Sequence, residues 1–198
     1  GSHARWVLLK MAAPVAQGDL WALLRERHPE RLVVVVPVSD LRLTEVHISR
    51  ELSWERTAQD LVWELLHNPR INELSRCAHV IVSLGTAGAF LLSSGPRGAA
   101  GPRCRLFFDS SSMEAEWAQT RPGGMIGYTS CLTAAIAREL LASPHAPDIE
   151  NGVMRGLAAM RRLHLDGYMA HTRTPDDARL AFPFDAIAGE IESPSGGF

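Results

Sequence analysis

The segment RLVVVVPV, residues 31–38, carries the clearest strand signal in the chain. After Arg31 its residues are apolar and mostly β-branched, and none of them offers a polar face to water. A strand of this composition is typically buried on both faces, as it is in a parallel sheet covered by helices. This segment therefore predicts the centre of an α/β domain.

Other segments alternate around this strand. Apolar patterns predict strands at 5–11, 79–85, 88–93 and 104–109, and helices at 18–27, 54–67, 71–75, 126–141 and 148–165. The helix at 126–141 is apolar nearly all round, which indicates a buried helix. Strands alternating with helices predict a three-layer α/β sandwich with a mostly parallel, Rossmann-like sheet.

Length and charge limit the classes of function. The 198 residues suit one domain, and a net charge of −2 argues against binding to nucleic acid or to a membrane surface. Three cysteines without framework spacing indicate reduced thiols in a cytoplasmic protein. Residues 1–4 are typical of a cleaved affinity tag. We expect an α/β domain at 5–168, incomplete at its N-terminus, and a C-terminal extension or linker at 169–198.

The segment GGMIGYTS precedes the buried helix and is the first candidate site. The start of a helix presents unpaired N–H groups and a partial positive charge, so a glycine-rich entry can hold a phosphate. The residues of this predicted phosphate site are Gly123, Gly124, Gly127, Tyr128 and Thr129. Alternatively, the glycines only permit a tight turn, and Ser130 or Thr129 caps the helix.

Two further candidate segments follow predicted strands, at the edge where open α/β sheets bind ligands. In SDLR, Asp40 and Arg42 would face a small molecule, and Arg42 could clamp a phosphate or a carboxylate. The alternative is a surface turn. In SLGTAG, Gly85 and Gly88 would let the backbone approach a nucleotide, and the alternative is a plain hairpin turn.

Histidine, cysteine and tryptophan residues suggest structural roles. The histidines lack metal-site spacing, so no structural zinc is predicted, and His79 is expected to be a hydrogen-bonded core histidine. The cysteines Cys77, Cys104 and Cys131 are expected to pack as small apolar residues. Two tryptophans of the helix at 54–67, Trp54 and Trp63, lie off its apolar stripe and could anchor a neighbouring chain or domain.

Taken in order, these segments resemble the second half of a ribokinase-like, PfkB-type kinase domain, over roughly residues 5–142. In that family an Asp-x-x-Arg-like element ends one strand, a T-L-G-x-x-G-A turn follows another, and a G-A-G-D motif opens a buried helix. SDLR resembles the first element and VIVSLGTAGAFLL the second, and RPGGMIGYTSCLTAAIAREL stands where the third is expected. The resemblance implies a ribokinase-like fold whose helix start binds the phosphates of ATP or a related nucleotide.

The chain departs from the family where the catalytic base should be. The aspartate of the final motif has no counterpart in GGMIGYTSC, where Tyr128 or Thr129 stands instead, and a neutral hydroxyl cannot replace a carboxylate base. If the chain is an enzyme, the resemblance implies phosphoryl transfer from ATP to an alcohol with Mg²⁺, and Asp109 is the candidate base.

Two hypotheses without catalysis also fit the sequence. The first is a ligand-sensing or regulatory domain of a larger multidomain protein, and the second is an oligomerisation scaffold that binds no nucleotide. The expected partners are a nucleotide or phosphorylated small molecule, together with other domains of a longer protein or a second copy in a homodimer.

Overall fold

The computed structural model describes residues 5–11, 26, 29–42, 46–48, 54–69, 71–85, 88–94, 102–109, 127–166 and 186–190. These residues form a six-stranded sheet in which the strands lie in chain order. The strands are β1 (Val7–Lys10), β2 (Leu32–Pro37), β3 (His79–Ser83), β4 (Gly88–Ser93), β5 (Arg103–Asp109) and β6 (Ala186–Glu190). The helices are α1 (Val38–Arg42), α2 (Trp54–His67), α3 (Tyr128–Ala142) and α4 (Ile149–Asp166), with 3-10 turns at Pro29–Arg31 and Asn72–Arg76.

The sheet is mixed. Parallel pairs join β1 to β2 and β2 to β3, whereas β3, β4, β5 and β6 pair antiparallel in succession. The prediction of an α/β protein is confirmed, but the expectation of a mostly parallel sheet holds only for the first three strands. Four residues separate Ser83 from Gly88, and a parallel connection needs a dozen or more. The hairpin therefore turns the second part of the sheet antiparallel.

Alternate residues of the strands enter two hydrophobic clusters. The first, which we name the α2-side cluster, joins Val34, Val36, Val80, Val82, Phe90, Leu92 and Leu106 to Ala58, Leu61, Val62, Leu65, Ile71 and Leu74. The second, the α3/α4-side cluster, joins Val33, Val35, Ile81, Ala89, Leu91 and Phe107 to Leu132, Ile136, Leu140, Ile149, Val153, Leu157 and Met160. Because side chains alternate along a strand, the clusters lie on opposite faces of the sheet. Every side chain from Leu32 to Val36 is buried, which confirms the prediction for β2.

Helices α3 and α4 pack against each other as a hairpin. The carboxylate of Asp148 accepts a hydrogen bond of 3.0 Å from the Asn151 N–H, so Asp148 caps α4. Arg155 pairs with Glu139 across the two helices at 3.2 Å. The Trp6 indole N–H donates to the Pro144 carbonyl at 2.8 Å and thereby ties the hairpin to the start of β1.

The structure adds two elements that the sequence patterns did not predict. SDLR is part of the short helix α1 rather than a loop. Strand β6, within the segment expected to be an extension or linker, pairs with β5 and sets Ala186 opposite Asp109. A five-residue segment gives too weak a signal to predict a strand, because pairing with a neighbouring strand decides whether the segment forms one.

Candidate functional site

Four strands end at the same edge of the sheet. Strands β1, β2 and β3 run parallel, and two successive antiparallel pairings return β5 to the same direction. Lys10, Pro37, Ser83 and Asp109, the last residues of these strands, therefore lie along one edge. This is the edge at which open α/β sheets bind ligands.

Helix α3 begins beside this edge with an unusual cap. Gly127 is the N-cap in the left-handed conformation, with φ of 95°, and no side chain in the described part of the chain caps the helix. No acidic residue stands in the first turn. A Cβ added to Gly127 would meet no atom of the described residues within 4 Å, so no described side chain fills the space beside this Cβ position. The helix start thus keeps its partial positive charge without a protein anion in the first turn.

Lys10 reaches this helix start from the end of β1. Its ammonium donates a hydrogen bond of 2.7 Å to the Ser130 hydroxyl in the first turn of α3. A hydroxyl is a neutral acceptor, so this bond positions the positive charge without neutralising it. No sequence pattern singled out Lys10, although it is the one lysine in the chain and lies next to the end of the strand predicted at 5–11. A single lysine near the end of a predicted strand was the feature of the sequence that could have identified it.

The predicted phosphate-site residues are only partly covered by the structure. Gly123 and Gly124 lie outside the described residues, as does the side chain of Tyr128. Gly127 occupies the N-cap, and the Thr129 carbonyl accepts a hydrogen bond of 2.6 Å from the Thr133 hydroxyl. The alternative in which Ser130 or Thr129 caps the helix is wrong, because Gly127 is the N-cap and the Ser130 hydroxyl, in the first turn, accepts from Lys10.

The predicted nucleotide-side glycines border the β3–β4 hairpin. Gly85 has φ of 70° and Gly88 has φ of 142°, backbone conformations that favour glycine. The Leu84 N–H donates to the Gly88 carbonyl at 2.9 Å and closes the hairpin. Both glycines are thus needed for the turn itself, so their geometry fits a hairpin with or without a nucleotide nearby.

Asp109 is the last residue of β5, one residue beyond Phe108, which pairs with Gly88. This register places the candidate base on the strand beside the start of the hairpin. Its side chain lies outside the described residues, so its role as a base stays a prediction.

The two predicted small-molecule residues stand on α1, away from α3. Asp40 accepts a bond of 3.4 Å from the neighbouring Ser39 hydroxyl. Arg42 is half-buried and lines a cleft against α2, on the opposite face of the sheet from α3. The structure therefore does not bring Arg42 to the Lys10 and Gly127 site.

The cysteines and His79 are packing residues. Cys77 and Cys104 are buried, and burial raises the pKa of the Cys77 thiol to about 12 and that of Cys104 to about 11. Cys131 is half-buried on α3, and its pKa is raised by burial while Lys10 acts in the opposite direction. His79 bonds the Ser93 hydroxyl at 2.9 Å, as expected of a satisfied core histidine, and burial lowers its pKa to about 4.

Comparisons with known proteins add no assignment. No protein-family model matches the sequence, and no curated protein matches it significantly. Within the described part of the chain, no helix combines the length and apolarity needed to cross a membrane. The same residues contain no group of three histidine, cysteine or carboxylate side chains that could hold a metal ion.

Proposed function

We propose that this chain is a ribokinase-like domain that binds a nucleotide or a phosphorylated small molecule at the N-terminus of α3. The observation that carries the proposal is the Lys10 ammonium held 2.7 Å from Ser130, beside a helix start without a side-chain cap. A helix N-terminus and an ammonium group both favour an anion, and phosphate is the anion that such starts commonly bind.

The arrangement of elements supports the ribokinase-like part of the proposal. Strands, a glycine hairpin and the apolar helix α3 follow one another in the order that the resemblance implies. Helices packed on both faces of the sheet are compatible with a three-layer, Rossmann-like sandwich. In this interpretation Lys10 has a role that none of the three family motifs assigns to a residue, because its side chain reaches the site from β1.

The chemistry of the proposed site favours binding over catalysis. The first turn of α3 contains no acidic residue, so no carboxylate there can take a proton from an alcohol. If the domain transfers a phosphoryl group from ATP to an alcohol, Asp109 at the end of β5 is the base. The described residues contain no group of three histidine, cysteine or carboxylate side chains that could hold a magnesium ion by itself.

The test uses the single lysine. Reductive methylation with ¹³C labels Lys10 and the chain's terminal amine alone, so a carbon NMR spectrum contains one lysine signal. Adding ADP, ATP or inorganic phosphate should shift that signal, and calorimetry on the unlabelled protein should give a matching dissociation constant. An unshifted lysine signal with no heat of binding for all three would refute the proposal.

Variants separate the parts of the site. Lys10→Gln should weaken nucleotide binding about tenfold, equivalent to about 1.4 kcal/mol. Gly127→Val should weaken it further, because a β-branched residue strains the left-handed cap. Arg138→Gln removes a charge from an exposed position farther along α3 and should leave binding unchanged. Equal effects of Lys10→Gln and Arg138→Gln would contradict the placement of the site.

The second candidate function is a non-catalytic sensor or regulatory domain, which the acid-free first turn favours. It predicts nucleotide binding without turnover. A coupled ATPase or kinase assay on wild type and Asp109→Asn distinguishes the two: turnover lost in the variant supports the enzyme, and binding without turnover supports the sensor.

A further inference from the structure

An open cleft lies between α1 and α2, on the opposite face of the sheet from α3. Its volume is about 660 Å³, within the range typical of small-molecule sites. Its polar and aromatic lining residues are Arg42, His47, Arg56, Asp60, Trp63 and Glu64. None of these residues belongs to the α3 site, so the cleft is independent of the proposed function.

Glu64 gives the cleft a buried negative charge. The residue is only 6% exposed. Its Oε1 accepts a hydrogen bond of 3.3 Å from the His47 N–H, and its Oε2 accepts one of 2.6 Å from the Asn68 amide. Both of these donors are neutral, and among the described residues no cation pairs with Glu64, which makes burial of its carboxylate costly. A ligand ammonium beside Glu64 would relieve that cost.

The charges around the cleft are balanced. Asp60 pairs with Arg56 at 3.4 Å, and Arg42 brings a second guanidinium from α1, so two positive and two negative groups line the space. An ion of a single sign would be repelled by half of them. A molecule with both signs can place its ammonium near Glu64 and its anionic group near the arginines.

Trp63 adds an apolar surface at the same place. Its side chain is 54% exposed, although it is a large aromatic residue on a well-packed helix. Its indole stacks on the His67 ring, with centroids 4.2 Å apart and planes at 21°. An indole held in this way can cover a ligand's hydrocarbon part or face its ammonium.

We propose that this cleft binds a small zwitterion carrying an ammonium and a carboxylate, of the free amino acid class. Glu64 receives the ammonium, Arg42 faces the carboxylate, and Trp63 packs against the side chain. No covalent step is involved.

The test compares a free amino acid with its charge-blocked forms. Leucine, N-acetyl-leucine and leucine amide are titrated into the full chain and followed by calorimetry and by tryptophan fluorescence, with Trp63→Phe identifying the Trp63 contribution. We expect leucine or another free amino acid from a standard panel to bind at least tenfold tighter than either blocked form. Equal affinities, or no binding by any panel member at about 10 mM, would overturn the proposal.

Single substitutions test which residues bind the ammonium end and the carboxylate end of the amino acid. Glu64→Gln should lower affinity for the free amino acid at least tenfold, and Arg42→Gln should do the same by weakening the carboxylate contact. Gln59→Ala, an exposed change on the same helix outside the cleft, is the matched control. Should Glu64→Gln prevent folding, Trp63→Ala provides a second variant at an exposed position. Unchanged affinity in Trp63→Ala and Arg42→Gln would overturn the assignment.

Discussion

At the scale of the residue, the burial of His79 should make the stability of the folded protein depend on pH. Its pKa is lowered from 6.5 to about 4 by burial, so the unfolded chain binds a proton more readily than the folded chain. The contribution of neutral His79 to stability is full above pH 6.5 and is lost as pH falls towards 4, by up to about 3 kcal/mol. Urea unfolding from pH 7 to 4 should show this loss.

Acidic groups elsewhere also titrate in that range, so the control must isolate His79. His79→Gln can retain a bond to Ser93 and should flatten the pH dependence between 6.5 and 4. His145→Gln changes an exposed histidine and should leave the wild-type slope. Identical slopes in wild type and His79→Gln would mean that burial of His79 does not control the transition.

Also at the scale of the residue, the three thiols should differ in reactivity. Cys77 and Cys104 are buried with strongly raised pKa values, whereas Cys131 is half-buried beside Lys10. At pH 8 a chromogenic disulfide reagent should react first with one thiol per chain and with the other two only on unfolding. Cys131→Ser should remove the early reaction. Two early thiols in the wild type would contradict the burial of Cys77, before β3, or of Cys104, on β5.

At the scale of the element, the contact between α3 and α4 depends on two glycines of α4. A Cβ on Gly156 would lie 2.8 Å from the Leu132 Cα, whereas one on Gly152 would lie 3.3 Å from the Ile136 Cα. Alanine favours a helix by about 1 kcal/mol over glycine, but overpacking costs about 1–3 kcal/mol. Gly156→Ala should therefore destabilise the protein more than Gly152→Ala. Thermal unfolding of both variants tests the order, and the reverse order would refute this helix contact.

Elements also differ in how well sequence reasoning finds them. The bounds of α2 were predicted as 54–67 and are confirmed, because apolar residues at helical spacing and the Asn68–Pro69 stop are local signals. The hairpin glycines were found for the same reason. Helix α1 was missed, since five residues carry too little periodicity to define a helix.

At the scale of the whole molecule, one sheet connects the two clusters, so they should unfold together. Phe90 fills the α2-side cluster and Phe107 the α3/α4-side cluster, and each is at most 1% exposed. Phe90→Ala and Phe107→Ala should each cost about 3–5 kcal/mol and shift a single transition seen by far-UV circular dichroism and by tryptophan fluorescence. Leu141→Ala, at an 80% exposed position, should change stability by less than about 0.5 kcal/mol. Separate transitions by the two probes would show that the clusters fold independently.

The amino-acid sequence alone determined the buried strand β2, the helices α2, α3 and α4, the cap at Asp148 and the glycine hairpin. These features follow from apolar spacing and turn chemistry within a few neighbouring residues. The tertiary structure alone decided that Lys10 meets Ser130, 120 positions away, and that Ala186–Glu190 completes the sheet. Such contacts depend on how distant segments pack against each other, and short local patterns carry no record of that packing.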